Sequence, residues 1–195
     1  MRSLLFLLLA GTVFTACNKD DDDPVVKANT LKYGTTEATL TKGYIENYGE
    51  DAPGIYQLDL SLYSSGVTIH LLGGGVDSLS GTGAGLYFEL FTSKEDQLDT
   101  RTYTLDTLNL GANGTFDLAM VAMNYNFSTY TGTGSFLTSG TLAVKKDGST
   151  YEFTFSGTDF MGVNVTGYYK GSVAYYDYSK KSIISQSDRK MWMRK

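Results

Sequence analysis

Apolar and polar side chains alternate with period two along most of this chain beyond residue 30, and no window carries the apolar stripe of a helix. That pattern restricts the fold to β-strands with at least one buried face. Leu58, Leu60 and Leu62 share a face while Gln57, Asp59 and Ser61 point away from it, as in an antiparallel strand resting on a core. Leu31, Tyr33, Ala38 and Leu40 repeat the pattern, as do Val67, Ile69 and Leu71. In the segment 86–91, Leu86, Phe88 and Leu90 alternate with Tyr87, Glu89 and Phe91, so both faces of that strand are expected to be covered. Further strands are expected at 103–105, 116–122, 142–144, 151–155, 163–166 and 173–178. Lys146-Asp147-Gly148-Ser149 forms a hairpin turn, because an Asp-Gly pair tolerates the positive φ such turns need. Loops are expected at Gly73 to Gly75 and Gly81 to Gly85. The expected fold is all-β, a single antiparallel β-sandwich or up-and-down β-barrel of about 8–10 strands. With one cysteine in the chain, no internal disulfide is available, and 15 Tyr and 10 Phe supply much of the packing surface instead.

The first residues have a different composition. Arg2 precedes an apolar run from Leu4 to Ala10, and Val13-Phe14-Thr15-Ala16 leads into the sole cysteine, Cys17. The run is shorter than the roughly 20 apolar residues a spanning helix needs. These residues resemble the lipobox of bacterial lipoproteins. The resemblance implies cleavage before Cys17, acylation of its thiol and new amino group with fatty chains such as palmitate, and attachment to a membrane through lipid. Asn18 is followed by Lys19, Asp20, Asp21, Asp22 and Asp23, which resemble the lysine-plus-acidic export signal of Bacteroidota lipoproteins facing outward from the outer membrane. By composition alone the four aspartates are a solvated spacer, since like charges repel and cannot be buried. The expected organisation is a signal peptide at 1–16, an acidic tether at 17–24, a β domain at 25–178 and a basic tail at 179–195.

The formal net charge is −5, and loss of Arg2 with the signal makes it one unit more negative, which excludes nucleic acid as an expected partner. Three further segments resemble small β-rich surface lipoproteins of Bacteroidota: Leu31-Lys32-Tyr33-Gly34, residues 98–105 around Tyr103, and residues 139–142 with 167–171. Their motifs are strand and turn chemistry. A barrel would resemble the lipocalin-like lipoproteins and enclose a ligand.

No catalytic grouping assembles from the sequence. His70 is the single histidine and falls opposite Ile69 and Leu71, on the surface of its strand; no second histidine or cysteine completes a zinc site. Gly81-Thr82-Gly83-Ala84-Gly85 runs into a strand, so no helix N-terminus is present to hold a phosphate. Asp59, Glu89 and Glu152 read as carboxylates on sheet surfaces. The expectation is therefore a lipid-anchored, non-catalytic binding module without cofactor or metal, taking a glycan or an envelope protein; the alternative is a lipocalin-like carrier of a small apolar ligand. Tyr125, Phe127 and Tyr130, in a loop rich in Asn, Ser, Thr and Gly, are the candidate ligand-binding residues. Asp77-Ser78-Leu79 and Asp106-Thr107-Leu108 match the Asp-Ser/Thr-aliphatic pattern of Bacteroidota O-glycosylation, making Ser78 and Thr107 candidate acceptors in expected loops.

Overall fold

A computed structural model describes residues 27–179. The signal peptide, Cys17, the acidic run at 20–23 and the basic tail from residue 180 lie outside the described residues. Eleven strands follow one another: β1 (Thr30–Tyr33), β2 (Thr36–Ala52), β3 (Ile55–Ser64), β4 (Val67–Leu72), β5 (Gly75–Thr92), β6 (Arg101–Leu105), β7 (Thr115–Asn126), β8 (Thr131–Asp147), β9 (Thr150–Asp159), β10 (Asn164–Ser172) and β11 (Ala174–Asp177). No helix occurs among the described residues.

The strands close on themselves. β2, β3, β5, β7, β8, β9 and β10 each pair antiparallel with the next, and β1 pairs with both β10 and β2, giving an eight-stranded ring. Such closure removes the exposed edges of an open sheet. Two short strands fill places where the ring would gape. β6 lies antiparallel to β8 and parallel to β7 where those two diverge, and β11 runs parallel to β2 above the end of β1. These two parallel pairings depart from the purely antiparallel expectation.

The ring is packed through its centre. Leu58, Leu60 and Leu62 face inward with Leu86, Phe88 and Leu90, as the alternation requires. The Phe88 ring meets Phe155 edge-on, centroids 5.0 Å apart, although β5 and β9 are not neighbours; the contact therefore crosses the lumen. A second crossing brings Leu86 of β5 to Gly167 of β10, where a Cβ would sit 3.4 Å from the leucine Cδ2.

A second layer covers part of the outside. The expected loop at Gly81 to Gly85 is instead continuous strand: β5 pairs with β4 over 75–81, bends, and joins the ring from residue 82. Gly66 and Gly81 permit the bend by bringing two backbones together. A Cβ on Gly81 would lie 2.3 Å from the Gly66 carbonyl oxygen, and one on Gly66 would lie 2.2 Å from that of Thr82. The β4–β5 hairpin thereby folds back over β2, β3 and β5. Val67, Val76 and Leu79 pack there on Tyr44, Tyr63 and Tyr87, forming a second apolar cluster outside the ring.

Candidate functional site

The two ends of the ring differ in chemistry. At one end lie the turns at 34–35, 127–130 and 160–163. The sequence carries no charged residue from Leu118 to Val144, and Asp159 is the single one between Phe153 and Tyr169. Large apolar side chains are nevertheless exposed there: Phe160 by 66%, Met161 by 63%, Phe136 by 47% and Tyr130 by 38%. Leu137 pairs with Asp159 at the end of β9, so Phe136 and Phe160 are each one residue from that pair, Phe136 within β8 opposite Met120 and Phe160 in the turn that follows β9.

Asp159 makes this loop rigid. Its Oδ1 accepts from the backbone N–H of Met161 at 2.9 Å and of Val163 at 2.8 Å. Its Oδ2 accepts from Tyr33 Oη at 2.6 Å and Ser135 Oγ at 2.8 Å. Removal from water alone would raise its pKa, but these four donors outweigh that and hold the carboxyl below its ordinary range. The carboxylate pins β1, β8 and the β9–β10 turn together, and Phe160 and Met161 stand outward from that clamp.

The adjoining β7–β8 turn is built on an Asn. Asn126 Oδ1 accepts from the N–H of Ser128 at 2.9 Å and of Thr129 at 3.0 Å, and Tyr130 closes the turn with φ of 58°. Asn and Asp tolerate that left-handed region better than a tyrosine does, so the strain at Tyr130 is held by its surroundings. The Tyr125 ring meets Phe127 edge-on at 5.1 Å, and Phe127 meets Tyr63 at 5.5 Å. Of the three aromatics expected to meet a ligand, Tyr125 is half-buried and Tyr130 exposed, while Phe127 is only 1% exposed. Phe127 supports Tyr125 from behind and does not itself face solvent.

Phe136, Phe160 and Met161 were not singled out by sequence reasoning. A signal was present, because Phe136 falls on the outward phase of β8 between inward Ser135 and Leu137, and Phe160-Met161 precedes Gly162 in a turn. Both break the rule that outward and turn positions are polar.

The opposite end is charged. Lys94, Asp99, Arg101 and Lys146 line an open groove there, with Lys94 Nζ 3.7 Å from Asp99 Oδ1 and the Arg101 guanidinium donating to Asn113 Oδ1 at 3.0 Å. β1 runs toward the 34–35 turn and β11 away from it, so both ends of the described chain leave from the side of the charged groove.

The remaining residues of interest scatter. His70 is exposed on β4, its Nε2 2.6 Å from Ser80 Oγ. Thr107 is exposed in a turn that Asp106 ties, its carboxylate accepting from the N–H of Leu108 and Leu110 at 2.9 and 2.8 Å. Ser78 is not in a loop. It is half-buried in β5, paired with His70 across the hairpin, and its hydroxyl donates to Asp77, so backbone pairing holds that segment extended. Glu152 lies between Lys145 and Lys170 on the sheet surface, at 3.6 and 3.7 Å.

Asp59 and Glu89 correct the sheet-surface reading. Both are buried, together with Glu46, because their outward face is the one that the second layer covers. Register places the three directly side by side, Glu46 opposite Asp59 and Asp59 opposite Glu89. Asp59 accepts from Gln57 Nε2 at 3.0 Å and from Tyr87 Oη, and Tyr87 Oη also lies 3.1 Å from Glu89 Oε1. Burial, then the neighbouring Glu89, drives the Asp59 pKa well above the usual range. The carboxyls converge, but Asp59 is wholly closed from solvent, so a substrate does not reach it in this conformation. Among the described residues, no group of three or more His, Cys, Asp or Glu side chains is arranged to hold a metal ion.

No family model, no curated protein and no solved structure matches this chain.

Proposed function

We propose that this protein is a lipid-anchored binding module of the cell surface, which takes a glycan through the aromatic end of its ring. The observation that carries this reading is the Asp159 clamp: a loop held by four hydrogen bonds that displays Phe160 and Met161 to solvent at the end of the ring where Phe136 and Tyr130 are also exposed, and where the charged side chains flanking the 34–35 turn, Lys32 and Glu37, neutralise each other at 2.8 Å. Large apolar side chains held outward by a built hydrogen-bond network are an arrangement suited to binding. Sugar rings present apolar C–H faces that stack on aromatic rings. Their hydroxyls match the Ser, Thr and Asn groups of the two turns. The packed lumen, crossed by Phe88–Phe155, favours an outer surface over an enclosed apolar ligand and so disfavours the lipocalin-like carrier.

The lipobox resemblance at Cys17 supplies the anchor in this reading. From Cys17 to Lys27 the chain spans at most about 35 Å when extended. It enters β1 from the side away from the aromatic end, which therefore faces outward from the membrane. Lys19 and Asp20 to Asp23 would direct the protein to the outer leaflet.

Two measurements test the reading separately. Metabolic labelling with a fatty-acid analogue is expected to mark the wild type and not Cys17→Ser; equal labelling would remove the anchor. On a glycan array the wild-type chain is expected to bind a defined subset of glycans, and Tyr130→Ala and Phe160→Ala each to weaken that binding about tenfold, roughly 1.4 kcal/mol. An array without signal, or full binding by both variants, would remove the glycan.

A further inference from the structure

Glu46, Asp59 and Glu89 form a row across β2, β3 and β5, and cross-strand neighbours of this kind have Cβ atoms about 5 Å apart. Like charges directly opposite one another are unfavourable even on a wet sheet, and this row is dry. Asp59 receives its hydrogen bonds from an amide and a phenol, and Glu46 shares its own with Tyr178 and Tyr48. Those donors are neutral. Neither Glu46 nor Asp59 forms an ion pair among the described residues. Lys42 lies on the same face of β2, but its Nζ donates to the Val67 carbonyl.

Glu46 sits where the covering layer is fastened. It pairs in register with Tyr176 of β11. Tyr178, which follows β11, stacks on Tyr48 at 5.5 Å, and its backbone N–H donates to the Asn47 carbonyl at 2.8 Å. The Tyr178 hydroxyl accepts from the Val76 N–H at 2.5 Å and lies 3.2 Å from the Val76 carbonyl oxygen, so its single proton is shared between that carbonyl and Glu46. Glu46, Tyr178 and Val76 thus join the ring, β11 and the tip of the β4–β5 hairpin at one point. The other titratable groups of this layer are Tyr44 on β2, Tyr63 on β3, Tyr87 on β5, and Tyr176 and Asp177 on β11, while His70 on β4 is exposed. Asp177 is engaged with Asn47 and Ser179.

We propose that the carboxyl row is a proton-operated latch: it stays closed while Glu46 and Asp59 hold their protons, and ionisation of Glu46 loosens β11 and the hairpin tip from β2. Burial raises the Glu46 pKa to about 7, against hydrogen bonds from Tyr178 and Tyr48 that act to lower it. A carboxyl whose pKa is higher folded than unfolded binds more protons in the folded state. Its contribution to closure is fully present in acid and is lost as pH rises from the ordinary carboxylate range through about 7. Opening uncovers Tyr44, Tyr63 and Tyr87, an aromatic surface on the flank of the ring.

Amide hydrogen exchange on the full chain, corrected for the intrinsic pH dependence, tests the latch. Between pH 6 and pH 8.5 the protection of the Val76 and Tyr178 amides is expected to fall about tenfold or more, while that of Phe88 in the ring stays constant. Glu46→Gln, which keeps the shape and cannot ionise, is expected to abolish the difference between the two pH values. A uniform change, no change, or a difference that persists in Glu46→Gln would overturn the proposal. The wild-type measurement alone decides if the variant does not fold.

Discussion

Phe88→Ala is expected to destabilise the fold by about 3–5 kcal/mol, the range for deleting a fully buried phenyl ring. Phe88 is completely buried, paired in register with Leu60 on β3 and Ala119 on β7. Its ring meets Phe116 at 5.3 Å and Phe155 at 5.0 Å, both edge-on. Truncation removes the apolar transfer energy and also the contact that joins opposite walls of the ring. The surrounding strands cannot collapse to fill the gap, because each is held on both sides by hydrogen-bonded neighbours. Single domains are stable by about 5–15 kcal/mol, so this change takes a large part of the whole. Thermal unfolding followed by circular dichroism is expected to show a midpoint lower by roughly 10 °C. A loss of under about 1 kcal/mol would mean the lumen is not packed as described, and would restore an enclosed ligand as the better reading.

The inner face of this fold was legible because alternation reports it directly. Leu58, Leu60, Leu62, Leu86, Phe88 and Leu90 all fall where period two puts them. The turn at Asp147-Gly148 was legible from its chemistry, and Gly148 has the expected positive φ of 57°. Ring closure was not legible. It depends on which strands meet, and no single strand's pattern records that β1 bridges β10 and β2.

The outer face misled in an instructive way. Alternation correctly turned Asp59 away from the lumen but could not say what lay on the other side, since a polar residue facing outward and one under a second layer share the same phase. One sequence signal did bear on it. Tyr87, Glu89 and Phe91 were read as a covered face, and a carboxylate within a covered face is buried by that same argument. The candidate binding end shows the converse error. Phe127 lies in a loop by sequence yet is buried, because the aromatic row Tyr44–Tyr63–Phe127–Tyr125 continues the second core to the end of the ring. Aromatic content alone does not distinguish a ring that packs from one that faces water.

The second large effect is expected at Gly81, where a methyl group should cost roughly 2–5 kcal/mol by adding backbone strain to overpacking. Gly81 has φ of 88°, a conformation that L side chains rarely adopt. A Cβ there also stands 2.3 Å from the Gly66 carbonyl oxygen, a backbone atom that cannot rotate away. The Gly81 carbonyl accepts from the Phe127 N–H at 2.8 Å, and its own N–H donates to Ser128 Oγ at 3.3 Å, so a backbone shift to relieve the clash breaks the tie to the β7–β8 turn as well. Gly73 is the control. It has φ of 61° but nothing within 4 Å of a Cβ, so Gly73→Ala meets the conformational term alone, about 1 kcal/mol. The two glycines therefore separate the effect of a positive φ from that of the chain crossing. Because Gly81 is the bend through which β5 leaves the hairpin for the ring, Gly81→Ala should release the second layer first. Exchange protection is expected to fall at Val67, Val76 and Leu79 before it falls at Phe88. Equal destabilisation by Gly73→Ala and Gly81→Ala in urea unfolding would show that the contact with Gly66 does not constrain the bend.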